Sequence, residues 1–209
     1  MKQIILFTSI LVLIFFGDIK AQTNIDASAK NWTSHNSEAS FNDEIIYLKN
    51  GGKGSALLWA NNTNFKNGII ELDIKGKDLR GKSFVGLAFH GLDNKNYDAV
   101  YFRPFNFNNP ERKNHSIQYI DAPNNVWHVL RKKFPGKYEN VVQPIPDPND
   151  WFHVRIEINS PEVKVFVNDA NEPTLVVEKI SDRTKGKLGL WIDSEEGWFK
   201  NVKIIANNQ

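Results

Sequence analysis

The sequence predicts an all-β protein: a two-sheet antiparallel sandwich of jelly-roll type that carries one long ordered loop. Three observations carry that expectation. Several stretches alternate with period two, most clearly Gly68–Lys75, where Ile70, Leu72 and Ile74 share one face and Glu71 and Asp73 the other. Clusters of Asn, Gly, Asp and Pro punctuate those stretches at short intervals. No helical period lasts more than a turn or two.

The first residues set the compartment. Lys2 precedes an apolar run from Ile4 to Phe16, then Gly17, Asp18-Ile-Lys20 and Ala21. A basic start, a short apolar run and a small residue at the cut describe a signal peptide over residues 1–21. The run is shorter than the roughly 20 residues a membrane span needs. The expectation is an exported protein, periplasmic or extracellular, with no stable membrane span after processing. A retained N-terminal anchor is the competing reading.

Residues 22–43 are rich in Asn, Ser and Thr and read as an N-terminal segment, with Trp32 as an anchor, leading into a domain over 44–206. Glu44–Lys49, Ser55–Trp59, Gly68–Lys75 and Ser83–His90 are the first predicted strands. The stretch Tyr97–Phe107 organises the middle of the chain. Val100 and Phe102 point one way and Tyr101 and Arg103 the other, until Pro104 removes a ladder donor and ends pairing. His115–Ile120 is the next strand. Residues 121–150 break the pattern with Ala-Pro, Trp127, Arg131, Tyr138 and a Pro-Ile-Pro-Asp-Pro run. A loop of that length is functional or disordered, and its aromatic content favours an ordered one. Trp151–Ile158, Glu162–Asn168, Thr174–Lys179, Lys187–Asp193 and Trp198–Ile205 complete ten or eleven strands.

Charge and composition exclude several classes. The 209 residues carry a formal charge of +2 and no basic block, so nucleic acid is not the expected partner. With no cysteine there is neither a disulfide nor a thiolate zinc site, and an exported domain must rest on its own core. The five histidines show no close ligand spacing, and no phosphate-binding glycine loop or Gly-x-Ser-x-Gly elbow is present.

Four segments together are similar to concanavalin A-like lectin and glucanase domains: Gly68-Ile-Ile-Glu-Leu-Asp-Ile74, Ser83-Phe-Val-Gly-Leu-Ala-Phe89, Gly186-Lys-Leu-Gly-Leu-Trp191 and Gly197-Trp-Phe-Lys-Asn-Val-Lys-Ile204. Laminin-G-like domains and the bacterial 3-keto-disaccharide hydrolase family share that layout. The resemblance implies two packed sheets, one concave, with carbohydrate bound across the concave face in many members. It carries over no catalytic residues. The Glu-x-Asp-x-x-Glu strand of laminarinase-like members is echoed only by Glu71-Leu-Asp73, with the last glutamate missing.

If Val85, Leu87, Val100, Phe102 and Ile117 face the inter-sheet core, then Phe84, His90, Tyr101, Arg103, Ser116 and Gln118 gather on the opposite face, with Asn106 just beyond. Sugars need that mixture of aromatic faces and fixed hydrogen-bonding groups. The long loop adds Trp127, Arg131, Tyr138 and Glu139 as a lid or groove wall, Arg131 being able to clamp an acidic sugar. Self-packing of the loop is the equal alternative. Hydrolysis would need two carboxyl groups, drawn from Glu139, Asp98, Asp121 and Asp193, or from the pair Glu71 and Asp73. Glu139 is the catalytic candidate. No cofactor is expected, although Asp93, Asn94, Asn96 and Asp98 make an oxygen-rich loop of the kind calcium takes. The expected partner is an oligo- or polysaccharide bound by His90, Tyr101, Arg103, Asn106, Gln118, Trp127, Arg131 and Tyr138. A glycoside-cleaving enzyme and a laminin-G-like protein-interaction module are the alternatives.

Overall fold

The structure, a computed structural model, describes residues 21–42, 44–52 and 54–206. The predicted leader lies outside the described residues except for Ala21. Among the described residues the chain forms β1 (Ala21–Asn24), β2 (Trp32–His35), β3 (Ser37–Asn42), β4 (Ile45–Asn50), β5 (Ala56–Ala60), β6 (Gly68–Lys75), β7 (Ser83–Gly91) and β8 (Tyr97–Phe102). Then come β9 (Ile117–Ala122), α1 (Trp127–Lys133), β10 (Glu139–Asn140), β11 (Phe152–Asn159), β12 (Glu162–Val167), β13 (Leu175–Glu178), β14 (Lys187–Ser194) and β15 (Glu196–Ala206). One sheet has eight strands in the order β13-β12-β11-β6-β15-β4-β3, with β1 also on β15. The other has seven, β10-β9-β8-β7-β14-β5-β2. The all-β antiparallel sandwich is as the sequence predicts.

All the predicted strands form. The segment 22–43 is more than a lead-in, because β1, β2 and β3 within it enter both sheets. Their signal is weak for a physical reason. β3 is a half-exposed edge strand, and its apolar positions are only Ala39 and Phe41. β2 offers Trp32 alone, which is 6% exposed and anchors as expected.

Register fixes which side chains meet in the middle. Ile192, Val85, Phe102 and Ile117 form one inward row of the seven-stranded sheet, and Leu58, Leu190, Leu87, Val100 and Tyr119 form the next. They meet Leu48, Ile70, Leu72, Ile74, Val154, Ile156 and Phe199 of the other sheet, all sealed from solvent. Each such side chain contributes about 1.5–3 kcal/mol on burial, which is how the fold does without disulfides. The long loop is ordered: Leu130 seats α1 against β9, and Tyr138 packs on Tyr119 and Phe134.

Candidate functional site on the seven-stranded sheet

Because directly opposed residues share a face, register aligns one outward row across all seven strands: His35, Leu57, Trp191, Gly86, Tyr101, Gln118 and Glu139. Phe84 and Asp193, paired with each other, lie two residues along on the same face. Gly86 is required at the centre. A Cβ there would sit 2.2 Å from the Val100 carbonyl oxygen and 2.5 Å from the Tyr101 Cα. Around it the rings of Tyr101 and Trp191 lie 4.7 Å apart, and Trp191 Nε1 donates to the Tyr97 hydroxyl at 3.2 Å. Trp59 meets Tyr97 edge-on, and Phe84 meets Tyr101 and Phe105 in the same way. The result is a pavement of aromatic rings that cover one another.

At one end of the pavement lies a cavity of about 230 Å³. Pro104 ends β8 and starts a tight turn that sets Phe105 and Asn106 on its wall. A second turn, Lys113–His115, brings His115, and α1 contributes Trp127 and Arg131, four residues apart on one helix face. The Arg131 guanidinium lies 5.1 Å from the Trp127 ring centroid. Arg80 and Arg112 complete the wall.

Arg103 is the deep residue, only 5% exposed. It donates from Nη1 to the His115 carbonyl at 2.9 Å and from Nη2 to the Tyr101 hydroxyl at 2.6 Å, with Gln118 Oε1 at 3.4 Å. Burial pulls its guanidinium below the ordinary arginine value. Asn106 donates to the same His115 carbonyl, and its buried Oδ1 has no partner in the protein.

Glu139 lies beneath the wall, its side chain 3% exposed. The Arg131 fork holds it, Nε to Oε1 at 2.9 Å and Nη2 to Oε2 at 2.6 Å, while His115 Nδ1 lies 2.9 Å from Oε2. Burial would raise the Glu139 carboxyl, but the Arg131 bonds and charge and the adjacent His115 outweigh it and hold it below the usual glutamate value. Asp193, the other carboxyl on this face, is pushed upward by burial. Four strand spacings separate β10 from β14, about 19 Å. That is well beyond the roughly 5–9.5 Å a two-carboxylate glycosidase needs.

Of the predicted binding residues, Arg103, Asn106, Trp127 and Arg131 line the cavity, with Tyr101 and Gln118 directly behind. Two are placed elsewhere. His90 adopts a left-handed φ of 49° at an irregularity in β7, which breaks the alternation and turns its ring inward beside Phe65 and Phe89. Tyr138 takes the opposite face from Glu139 and is an anchor of the loop, not part of the wall. The expectation for Arg131 is also corrected: its fork is already occupied by Glu139. Arg80, Arg112, His115 and Phe105 escape sequence reasoning, since isolated residues in turns carry no periodic signal.

The remaining carboxylates have other partners. Asp98 and Asp121 face the sheet interior at the far end, where Arg183 bridges them at 3.2 and 2.7 Å. Tyr119 and Ser181 donate to Asp98, and buried Lys179 donates to Ser181 and the Arg183 carbonyl. The oxygen donors considered for calcium do not converge. Asp93 accepts from Lys95 and Asn96 in its own turn, Asn94 Oδ1 accepts from Trp59, and Asp98 points inward. Among the described residues no three His, Cys, Asp or Glu side chains are placed to hold a metal ion. A larger cavity of about 580 Å³ lies by Thr23, Asn61–Asn67 and Ala206, but its one ring, Phe65, is buried and gives no aromatic platform.

Comparisons with solved structures agree on the fold. Carbohydrate-binding module CBM66 from Bacillus subtilis is 18% identical with a TM-score of 0.62, covering 83% of this chain and 95% of that one. A putative glycosyl hydrolase from Parabacteroides distasonis is 14% identical with a TM-score of 0.57, covering 86% and 89%. The exoplasmic/lumenal domain of VIP36, bound to Ca2+ and Man3GlcNAc, is 10% identical with a TM-score of 0.56, covering 89% and 88%. At these identities the likeness shows the fold alone. No curated protein matches. The 3-keto-alpha-glucoside-1,2-lyase-like domain matches residues 21–205, from β1 through β15, and the chain belongs to that family.

Proposed function

We propose that the protein is an exported carbohydrate-recognition module that seats a sugar unit in the cavity at the end of the aromatic pavement. One observation carries this reading. Phe84, Phe105 and Trp127 offer ring faces beside the donors of Arg103 and the free acceptor of Asn106, while Asp193, the other carboxyl on this sheet face among the described residues, lies about 19 Å from Glu139, beyond glycosidase range. The volume suits one sugar ring, not a long chain, since cavities for larger ligands begin near 300 Å³. The leader-like residues 1–21 support a periplasmic or extracellular setting. A glycan array run beside a reducing-sugar assay tests it. Binding without product, lost in Trp127→Ala and Asn106→Leu, is expected. Failure to bind any member of a broad panel contradicts it and turns attention to a protein partner.

A second reading is favoured by His115, which lines the cavity with Nδ1 against Glu139. The family is named for a 1,2-lyase, and elimination needs one base instead of two carboxyl groups. His115 would take the proton from C2 of a 3-keto-glucoside. The C–H electrons would pass to the C3 oxygen as an enolate, facing the arginines. The enolate would then expel the C1 substituent, which leaves as an alcohol once it recovers a proton. Accumulation of an unsaturated keto-sugar, stopped by His115→Ala with binding retained, would establish this reading over the first.

A further inference from the structure

We propose that the sugar this cavity selects carries an anionic group, a carboxylate or a sulfate ester, and that Arg103 is its counter-ion. The inference rests on the saccharide reading above and adds the ligand class. Arg103 is a buried guanidinium whose hydrogen bonds all go to neutral acceptors: the His115 carbonyl, the Tyr101 hydroxyl and Gln118 Oε1. Among the described residues no carboxylate lies within 4 Å of it.

The other cations held in the protein differ in that respect. Arg131 grips Glu139, Arg183 bridges Asp98 and Asp121, and Lys179 lies 3.8 Å from Asp98. A charge removed from water without an opposite charge is costly, and proteins ordinarily pair such groups. The position of Arg103 on a cavity wall supplies a reason for the exception, because a ligand can complete the pair.

The rim points the same way. Arg80 and Arg112 are exposed on the wall and also lack a carboxylate partner among the described residues. Four guanidinium groups therefore surround the cavity, no carboxylate is among its lining residues, and Glu139 beneath it is committed to Arg131 and His115. Two oxygens of a carboxylate or of a sulfate ester can meet the planar arginine fork, and the unpartnered Asn106 Oδ1 is left to accept a hydrogen bond from a neighbouring sugar hydroxyl.

Matched trios test this: a neutral hexose, its uronate and its 6-sulfate in the gluco, galacto and manno series, titrated at low and high salt. The uronate or the sulfate should bind about 10–100-fold more tightly than the neutral parent, and whichever arm wins identifies the source of the charge. Arg103→Gln should bring the acidic ligand down to the neutral level with the unfolding midpoint unchanged or raised, since an uncompensated charge has gone. A structural strut would instead lose stability on that change. Arg112→Gln, on the surface, should weaken the preference a few-fold and flatten its salt dependence. If Arg103→Gln does not fold, an acid preference abolished by Arg112→Gln and Arg80→Gln together, with Arg103 still in place, overturns the proposal, and one that persists supports it. Equal binding of neutral and acidic sugars overturns it while leaving the saccharide reading intact. Absence of binding to every trio sinks both.

Discussion

The two outward faces of this sandwich use charge in opposite ways. On the eight-stranded sheet, Lys203 pairs with Glu71 at 2.7 Å, His153 with Asp73 at 2.8 Å and Lys164 with Glu162 at 2.8 Å, and Arg155 with Glu157. Asn201 also donates to Asp73. Positive and negative groups alternate there in water, and such pairs contribute little each. The seven-stranded face carries a ring pavement and, at its end, arginines that outnumber carboxylates, one of them buried. A face that is only solvated has no reason to hold an unmatched charge away from water. That contrast is what supports the proposed site on the second face.

Removing the pavement should have the largest effect. Trp191→Ala takes away a ring that is 3% exposed and packed at a tilt against Tyr101, and should cost about 3–5 kcal/mol in urea unfolding. The equivalent change at the paired face, Trp198→Ala, should cost clearly less. Similar costs would erase the contrast. Next comes the site's own ion pair. Arg131→Ala leaves Glu139 buried against His115 alone and should cost about 3 kcal/mol, most of it recovered in Arg131→Ala/Glu139→Gln. Gly86→Ala should cost about 1–3 kcal/mol through its collision with β8, and should move the Tyr101 and Trp191 rings enough to change near-ultraviolet circular dichroism.

The smallest effect belongs to the paired face and depends on pH. The hydrogen bond that His153 Nδ1 donates to the Asp73 carboxylate raises the His153 pKa, so the stabilisation is fully present below the unfolded histidine value of about 6.5. It fades as pH rises through the higher folded value. Asp73→Asn should therefore cost about 1 kcal/mol or less at pH 6, and less still at pH 9. A larger cost at pH 9 than at pH 6 would contradict the assignment.

The reach of the sequence is set by what period-two alternation can carry. Val85, Leu87, Val100, Phe102 and Ile117 declare the core side, and from them Tyr101, Arg103 and Gln118 are assigned to the opposite face, where register puts Tyr101 and Gln118 and hydrogen bonds to both of them put the Arg103 guanidinium. Alternation also misplaces His90, because a single residue with positive φ shifts the parity and leaves no trace in composition. Tyr138 and Glu139 are adjacent and so face opposite ways, but only the pairing of β10 with β9 fixes which of them faces outward. The positive wall is the least visible part. Arg80, Arg103, Arg112 and Arg131 are separated by 51 residues in the chain at their extremes, and an overall charge of +2 conceals their convergence.

The measurement that tests the account most directly is amide hydrogen exchange with and without a bound acidic saccharide. Protection confined to residues 80–84, 103–115 and 127–131 is the predicted result. Protection along β6, β11 and β15, or around residues 61–67, would place the ligand on the paired face or in the asparagine-lined cavity and contradict it.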